Sequence, residues 1–390
     1  MDHALLETLK TWRRHLHAHP ELSLKESATA AFVQEKLTEL GIPFTAGIGG
    51  HGVVATLKRG NSDRSVGLRA DMDALPILEA NDLPYASTNK GVMHACGHDG
   101  HTTSLLGAAA LLARDESWSG TVHLLFQPSE ENGAGARAMI ADGLFERFPM
   151  ERVFGFHNWP GLEAGTVAVH HGPVMAEPGR FRITLHGTAG HAAKPDLTRD
   201  PIVAMSHLIV ALQTIVARNV DPLDSAVVSV GMVHGGQAPN QIPSSVTIDG
   251  TFRTYRTAVR DRVIGSLKRI ANSTAEAFEM RAEIEIITGG RATANTELEE
   301  EISVAAAKQA GLTVRRDVPP STASEDFCHF LADRPGAYVW IGNGPVTDGG
   351  ELHNERYNFN DDILPATAGW MASAARLALE GELSNTSPAR

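Results

Sequence analysis

The amino-acid sequence predicts a three-layer α/β domain that is interrupted by a smaller, ferredoxin-like α+β domain. In residues 1–178 and 290–390, short apolar runs alternate with segments of helical periodicity, which is typical of a sheet with helices on both faces. Residues 179–289 instead follow the order strand, helix, strand, strand, helix, strand of a split βαβ sheet. We therefore expect a discontinuous first domain and an inserted domain of residues 179–289.

The first part of the chain combines helices with strands that end in polar residues. Apolar residues recur at helical spacing over residues 4–18 and 27–40. Apolar runs bounded by turn residues predict strands over residues 51–58, 65–70, 121–126 and 152–156, with an Ala-rich helix over residues 103–113. Because ligands of open α/β sheets bind beyond the carboxyl ends of the strands, we expect the functional site at that edge.

The inserted domain and the C-terminal part are read from the same periodicities. The inserted domain has predicted strands over residues 180–187, 226–233, 246–255 and 281–287, and predicted helices over residues 201–218 and 259–278. The C-terminal part has predicted helices over 297–310, after 325 and from 364, and predicted strands near 314 and over 337–341. The free edge and outer helix of the inserted domain suggest a homodimer, with a tetramer left open.

Composition and charge exclude several classes of partner. The formal net charge of -12 argues against nucleic acid and anionic membranes. No apolar run approaches the roughly 20 residues that span a bilayer. The chain has only two cysteines, Cys96 and Cys328, and its first residues lack the features of a signal peptide. We therefore expect a cytoplasmic protein whose partner is a small molecule.

A dense set of potential metal ligands lies in residues 93–102. Cys96 and His98 are two residues apart around Gly97, so that an extended backbone would let both face one ion. A thiolate with imidazoles and carboxylates suits Zn²⁺, although Mn²⁺, Ni²⁺ or Co²⁺ could use a similar set. On its own, this pair is better explained by a buried cysteine beside a structural histidine.

Adjacent carboxylates follow the third predicted strand. Glu130 and Glu131 come just after a buried strand, where they are costly unless a cation meets them. Residues at a strand end point in opposite directions, so one can ligate a metal while the other holds a water; a solvated turn is the alternative. His157 and His353 provide further imidazoles, although either could be a structural histidine when taken alone.

Two turns of the inserted domain and one later segment have ordinary local explanations. His191 is presented by a Gly-flanked turn, and Asn240 lies in a polar loop before a strand. Residues 324–327 predict a helix start with Ser324 as cap and the acids Glu325 and Asp326 in the first turn.

Taken together, the motifs are recognisable. In order, they are Arg69–Pro76, Met93–His101, Phe126–Glu131, His157-Asn158, Gly190–Ala192, Asn240–Pro243, Ser324–Phe327 and Leu352–Asn354. From about residue 12 to 375, the chain resembles the amidohydrolase branch of the aminoacylase and glutamate-carboxypeptidase superfamily of metallopeptidases. That branch includes hippurate hydrolases, N-acyl-amino-acid amidohydrolases and auxin-conjugate hydrolases. The Cys-Gly-His-Asp-Gly-His motif is highly specific for it.

The resemblance implies hydrolysis of N-acyl-L-amino acids at a site with two divalent metal ions, Zn²⁺ being favoured. It also implies a mixed sheet in the catalytic domain and an inserted domain that serves as lid and dimerisation domain. The implied metal ligands are Cys96, His98, Glu131, His157 and His353. Glu130 would be the general base that takes a proton from water and returns it to the leaving amine.

The resemblance assigns further roles outside the ligand set. His191 would contact the substrate carbonyl or carboxylate, often from the partner subunit, and Asn240 would contact substrate. The wider superfamily has His-x-Asp after the second strand, whereas this chain has Asp71-Met72-Asp73. Asp73 would therefore orient a ligand histidine rather than bind metal, and Asp99 would act similarly.

Three other functions remain open from the residues. A cysteine hydrolase could use Cys96 as nucleophile with a neighbouring histidine as base, but it leaves Glu130, Glu131 and His353 without a role. A non-catalytic metal-binding dimer could use the same fold. A dipeptidase or carboxypeptidase would use the same chemistry with a different pocket.

Overall fold

The computed structural model describes residues 3–347 and 349–381. These residues divide into two compact units. The first unit combines the chain up to Val174 with Thr293–Pro320 and the residues from Glu325 onward, and the second unit is Met175–Ala292 with Ser321–Ser324. Within the described residues, no helix is long and apolar enough to cross a membrane.

The helices and strands have the following bounds. The helices are α1 His3–Ala18, α2 Ser27–Glu39, α3 His98–Arg114, α4 Gly135–Ala141, α5 Leu144–Arg147, α6 Pro201–Leu212, α7 Thr257–Ala277, α8 Glu297–Gln309, α9 Cys328–Asp333 and α10 Leu364–Glu380. The strands are β1 Phe44–Ile48, β2 Gly52–Arg59, β3 Ser65–Asp71, β4 Gly120–Gln127, β5 Arg152–Pro160, β6 Thr166–Ala168, β7 Pro173–Met175, β8 Glu177–His186, β9 Gly190–His191, β10 Ala226–Gly235, β11 Gln241–Ile242, β12 Ser245–Thr254, β13 Arg281–Thr288, β14 Thr293–Ala294, β15 Thr313–Arg315 and β16 Gly336–Gly344.

The first unit is built on a mixed sheet with the strand order β1-β2-β4-β3-β5-β16-β6-β15. Its centre is parallel, because β3 runs parallel to β4 and β5, and β16 runs parallel to β5. The pairs β1 with β2, β2 with β4, and β16 with β6 are antiparallel. The parallel strands bring their carboxyl ends to one edge, where β3 ends at Asp71, β4 at Gln127 and β5 carries His157.

Both faces of this sheet are buried. On one face Val53, Leu68 and Leu124 pack in a single core with residues of α1, α3 and α10. The neighbouring residues Val54 and Leu125 point to the opposite face and are also fully buried. A sheet that is buried on both faces requires a layer on each side, as the alternation of strands and helices in the sequence predicts.

The second unit is an antiparallel four-stranded sheet in the order β10-β12-β8-β13. Alternate residues of β8 and β12, such as Ile183 and Ile248, join Leu208 of α6 and Leu267 of α7 in one core. This is the ferredoxin-like arrangement that the sequence predicts. The helix predicted over 201–218 ends earlier, since α6 stops at Leu212 and a π-helical turn occupies Ile215–Asn219.

Three local expectations in the first unit differ from the structure. The short edge strand β1 does not follow from the sequence pattern, because its five residues include Ala46 and Gly47, which are depleted in strands. The helix predicted from residue 103 already begins at His98. β5 continues past the predicted residue 156 to Pro160, so His157 lies within the strand and is paired with Trp340 of β16.

Candidate metal centre

Cys96 and His98 come together through a turn at Gly97. This residue has φ +94, a left-handed conformation that favours glycine, and a Cβ there would lie 2.1 Å from Asn158 Oδ1. His98 is the first residue of α3. The expectation that an extended backbone places Cys96 and His98 on one side is therefore wrong, because a left-handed turn at the helix start does so instead.

Two buried imidazoles each engage one ring nitrogen with a backbone carbonyl. His98 Nδ1 lies 2.8 Å from the carbonyl oxygen of Asp73, and His98 Nε2 has no hydrogen-bond partner among the described residues. His157 Nδ1 lies 2.6 Å from the carbonyl oxygen of Asn158, and His157 Nε2 lies 3.3 Å from Cys96 Sγ. A carbonyl acceptor fixes the proton on Nδ1 and leaves Nε2 with a lone pair, which is the form that binds metal.

Glu130 and Glu131 occupy the turn after β4, and Asp73 holds both. The Asp73 carboxylate accepts the backbone N–H groups of Glu130 at 3.1 Å and of Glu131 at 3.0 Å. Glu131 Oε1 is buried without a hydrogen-bond partner among the described residues. It lies 3.9 Å from His98 Nε2 and 3.6 Å from His353 Nε2.

His353 reaches this edge from a segment far along the chain. Its backbone N–H donates to the carbonyl oxygen of Ala95 at 2.8 Å, which places it beside Cys96. Its φ of +63 is uncommon for a residue with a Cβ. Its side chain is 54% exposed, so the imidazole borders the site rather than lying beneath it. Backbone strain of this kind often accompanies functional sites.

These side chains form overlapping donor groups, each with its ligand atoms within 4.8 Å of one another. The groups are Cys96 with His98 and His157, Cys96 with Glu131 and His353, and His98 with Glu130 and Glu131. The five ligands implied by the sequence motifs are thus brought to one place. Their individual roles stay predictions.

The site carries an excess of carboxylates. Burial, together with the nearby Glu325 and Glu131, holds the pKa of Glu130 well above its usual range. Burial also raises the pKa of Glu131 to about 7. Burial disfavours protonation of His98, but Asp71 and Asp73 outweigh it and raise the His98 pKa to about 10. All three pKa values are raised, so the cluster favours added positive charge. Bound cations would supply that charge in place of protons.

Arg69 lies buried beneath the site and pairs with three carboxylates. Its guanidinium nitrogens lie 2.8 Å from Asp71, 2.8 Å from Glu325 and 3.1 Å from Asp326. The prediction that Ser324 caps a helix with these acids in its first turn is wrong, since α9 begins at Cys328 and has no side-chain cap. Glu325 and Asp326 instead pair with the buried guanidinium of Arg69. A buried charge without such partners would cost free energy.

Asp99 and His101 have partners other than the predicted ligands. Asp99 Oδ2 lies 2.8 Å from His17 Nδ1 and 3.6 Å from Arg13 Nη1. His101 Nδ1 lies 2.6 Å from Asp71 Oδ1, and its Nε2 lies 2.7 Å from the Asn158 side-chain oxygen. Asp73 contacts the ligand candidate His98 directly. These contacts of Asp99 are made with side chains of α1.

His191 and Asn240 lie close together within the second unit. His191 ends the short strand β9, which pairs with β11 through His191 and Gln241. The backbone N–H of Ala192 donates to the carbonyl oxygen of Asn240 at 3.0 Å. Both side chains are exposed. The structure thus places the two predicted substrate-contacting residues side by side on this unit.

Comparison with known proteins decides the family. Residues 67–376 match the model of peptidase family M20/M25/M40. The chain belongs to this family. It is 42% identical over 378 residues to the N-acetyl-L-cysteine deacetylase of Bacillus subtilis (strain 168), covering 96% of this chain and 89% of that protein. It is 42% identical over 365 residues to the hippurate hydrolase of Campylobacter jejuni, covering 93% and 94%.

A solved structure extends the comparison to the fold. A dinuclear metal-binding peptidase of the M20 family from Bacillus subtilis matches with a TM-score of 0.87 at 33% identity, covering 97% of this chain and 99% of that one. The predicted resemblance and the predicted α/β fold class are thereby confirmed. The protein described by the present sequence is a metal-dependent amidohydrolase.

Proposed function

We propose that the protein hydrolyses the amide bond of N-acyl-L-amino acids, with acetyl or hippurate-like aroyl groups, to a carboxylic acid and a free amino acid. The observation that carries the proposal is the proximity of His98 Nε2 and Glu131 Oε1. These are buried atoms without hydrogen-bond partners among the described residues, and they lie 3.9 Å apart. The deacetylase and hippurate hydrolase activities named for the relatives support the substrate class.

The donor set fits two divalent metal ions. Unpartnered buried atoms, one thiol, imidazoles and carboxylates form overlapping groups of the kind that Zn²⁺ prefers. We propose Zn²⁺, with Mn²⁺, Ni²⁺ and Co²⁺ as ions that the same donors accept. The residues that would hold the ions are Cys96, His98, Glu131, His157 and His353. When bound, the ions would supply Lewis acidity, which polarises an amide carbonyl and lowers the pKa of water.

Glu130 is the proposed general base. Its backbone N–H is fixed on Asp73, so its position beside Glu131 is set by the turn. In the proposed reaction, the Glu130 carboxylate accepts a proton from the attacking water and passes it to the leaving amine nitrogen. Glu131 takes the ligand role, and this division leaves the Glu130 carboxylate free for proton transfer.

His191 is the proposed donor to the substrate carbonyl. The backbone N–H of Ala193 donates to His191 Nδ1 at 3.0 Å. A neutral imidazole that accepts at Nδ1 carries its proton on Nε2. His191 thus offers an N–H that can stabilise negative charge on a carbonyl oxygen. Asn240, next to it, is the proposed second contact to substrate.

The second unit also offers cations for the α-carboxylate of the substrate. Arg180 of β8 and Arg253 of β12 lie on the sheet face away from α6 and α7. Burial and the neighbouring Arg180 both lower the pKa of Arg253. Uncompensated repulsion between two guanidinium groups favours an anion between them. We propose Arg253 as the carboxylate contact, a residue that the sequence motifs did not identify.

We further propose a cytoplasmic homodimer. β10 is an edge strand, and the α6 residues Ile202, Val203 and Val210 are exposed by 48%, 46% and 71%. An open strand edge beside exposed aliphatic side chains suits a self-complementary contact with a second copy. The sequence has only two cysteines, Cys96 and Cys328, and both are buried, which suits a reducing compartment.

A substrate panel tests the proposed function. The protein is depleted of metal, reconstituted with Zn²⁺ or Mn²⁺, and assayed with hippurate, N-acetyl amino acids and dipeptides, while its mass is measured in solution. We expect turnover of N-acyl amino acids that chelators abolish and metal restores, and a dimeric mass. Turnover of dipeptides alone would favour the peptidase alternative, and no turnover of any substrate would contradict the proposal.

A further inference from the structure

The turn that carries Glu130 and Glu131 depends on an unusual backbone conformation at Ser129. Its φ is +55, in the left-handed region that residues with a Cβ seldom adopt. The carbonyl oxygen of Ser129 accepts the backbone N–H of Gly135 at 3.0 Å. Because Ser129 directly precedes Glu130, this conformation determines the direction in which the acid pair leaves β4.

Glu26 is the carboxylate that binds this serine. Glu26 Oε1 accepts the backbone N–H of Ser129 at 2.8 Å and its hydroxyl at 3.1 Å. The Ser129 hydroxyl oxygen in turn accepts the backbone N–H of Leu24 at 2.8 Å. Glu26 is fully buried. The backbone N–H and the hydroxyl of Ser129 are thus both bound by the segment between α1 and α2.

The position of Glu26 in its own helix shows that its side chain is diverted. Glu26 is the N-cap residue of α2, but its side chain makes no capping hydrogen bond. Glu21 provides the cap instead, because its Oε2 accepts the backbone N–H of Thr29 at 2.8 Å and the Thr29 hydroxyl at 3.0 Å. Glu26 is therefore free of the local role that its position would give it.

Stability alone does not account for a carboxylate at this position. Glu26 Oε2 is buried without a hydrogen-bond partner among the described residues. Burial, and next the nearby Asp73, raise the pKa of Glu26. A buried carboxyl that is half satisfied and lies near another acid costs free energy. Such costs are typical of residues that are retained for a site rather than for the fold.

We propose that Glu26 is a positioning residue for the acid pair. By holding Ser129 in the left-handed conformation, it keeps the N–H groups of Glu130 and Glu131 on Asp73 and directs their carboxylates to the metal centre. Ser23 supports the same arrangement, since its hydroxyl donates to Asp73 Oδ2 at 2.6 Å. This inference rests on the proposed function in assigning the chemistry to Glu130 and a ligand role to Glu131.

The test measures Zn²⁺ affinity of the metal-depleted full chain by calorimetry, together with kcat and KM. In Glu26→Ala we expect kcat to fall about tenfold, because Ser129 would adopt the left-handed conformation about tenfold less often without Glu26. Zn²⁺ affinity should fall in the same variant and KM should stay unchanged. Glu26→Gln keeps an acceptor oxygen and should retain most of both properties.

Glu300→Ala is the matched control. Glu300 is also buried, accepts the backbone N–H of Gly172 at 2.9 Å and lies 3.0 Å from His171 Nδ1. It lies outside the proposed site, so its loss should lower the melting temperature without changing kcat or Zn²⁺ affinity. Ser129→Ala, which removes only the hydroxyl contacts, provides a milder second variant if Glu26→Ala does not fold.

A double variant separates positioning from general destabilisation. Glycine adopts positive φ without strain, so the loss caused by Glu26→Ala should shrink several-fold in a Ser129→Gly background. Wild-type kcat and Zn²⁺ affinity in both Glu26→Ala and Ser129→Ala, with Glu130→Gln inactive, would overturn the positioning role. Full activity of Glu130→Gln would instead overturn the proposed function itself.

Discussion

Asp73 contacts His98 through two different groups. Its backbone carbonyl oxygen lies 2.8 Å from His98 Nδ1, and its carboxylate Oδ1 lies 3.3 Å from the same nitrogen. The carboxylate also accepts the N–H groups of Glu130 and Glu131. One residue thus fixes both the orientation of an imidazole and the start of the acid pair.

Replacing Asp73 by asparagine should therefore weaken metal binding without unfolding the protein. The amide has one oxygen and no charge, so it cannot hold His98 and both N–H groups as the carboxylate does. We expect a loss of about 10–100-fold in Zn²⁺ affinity, as for partners of metal ligands elsewhere. Calorimetric titration measures it, with Asp317→Asn on the surface as control. Equal affinities in the two variants would contradict this role.

Glu130→Gln should separate metal binding from catalysis. The amide cannot accept a proton, while Glu131 and the other proposed ligands are untouched. We expect the variant to keep its metal content, measured by plasma mass spectrometry, and to lose about 10²–10⁴-fold in kcat. A variant with full turnover would rule out Glu130 as the base.

His191→Phe should lower kcat and leave the metal content nearly unchanged. Phenylalanine keeps the ring volume but removes the N–H that is proposed to donate to the carbonyl oxygen. Loss of one such donor costs about 10²–10³-fold in kcat. The neighbouring variant His186→Phe, on β8 of the same unit, is the control. If both variants retain wild-type kcat on N-acyl substrates, His191 has no role in the reaction.

The buried His17 should make stability depend on pH. Burial lowers its pKa, but Asp99 and then Glu79 outweigh burial and raise it to about 9 in the folded protein, against about 6.5 when unfolded. A raised pKa contributes stability that is complete below pH 6.5 and is lost as pH rises towards 9. The contribution is of the order of 3 kcal/mol.

Urea unfolding at pH 6.5 and pH 9 checks this expectation. The free energy of unfolding of the wild type should fall more between the two values than that of His17→Gln, which has no titrating imidazole. Parallel pH profiles for the two proteins would show that His17 does not carry the proton.

Arg69→Met should be strongly destabilising. It removes the cation that Asp71, Glu325 and Asp326 share in the interior. Breaking a buried pair from one side costs about 3–5 kcal/mol, because the partners remain buried and unpaired. Urea unfolding measures the loss. Arg182→Met, which breaks the exposed pair with Asp249, should have little effect, and similar losses in both would contradict the argument.

The periodicity of the sequence was sufficient to predict the α/β fold and the inserted ferredoxin-like order. Apolar spacing reflects burial, and burial defines most elements, including α8 and β16. Local spacing could not predict how α3 begins, because the left-handed turn at Gly97 depends on the approach of Asn158 from another strand. Local spacing likewise predicts a helix start at Glu325 and Asp326, because their buried partner Arg69 lies far away in the sequence.

The motifs identify the candidate ligands and their support Asp73, whereas the supports Asp71 and Glu26 were not identified. Period-two spacing predicts that Asp71 and Asp73 point to the same side. That signal could have linked Asp71 to His98, whose Nε2 lies 3.6 Å from Asp71 Oδ2. Glu26 gave no such signal. A glutamate before a helix is explained locally, and only its long-range bond to Ser129 shows another role.

The place of β16 in the sheet has a consequence for biosynthesis. β16 lies between β5 and β6, although the whole second unit separates it from them along the chain. A ribosome therefore releases β5 long before the strand that covers its edge, and a nascent chain exposes that edge meanwhile. Chaperone binding to chains stalled before Gly336, and its loss once Gly344 has emerged, would reveal this interval. Maturation of the enzyme should accordingly be a late event in its synthesis.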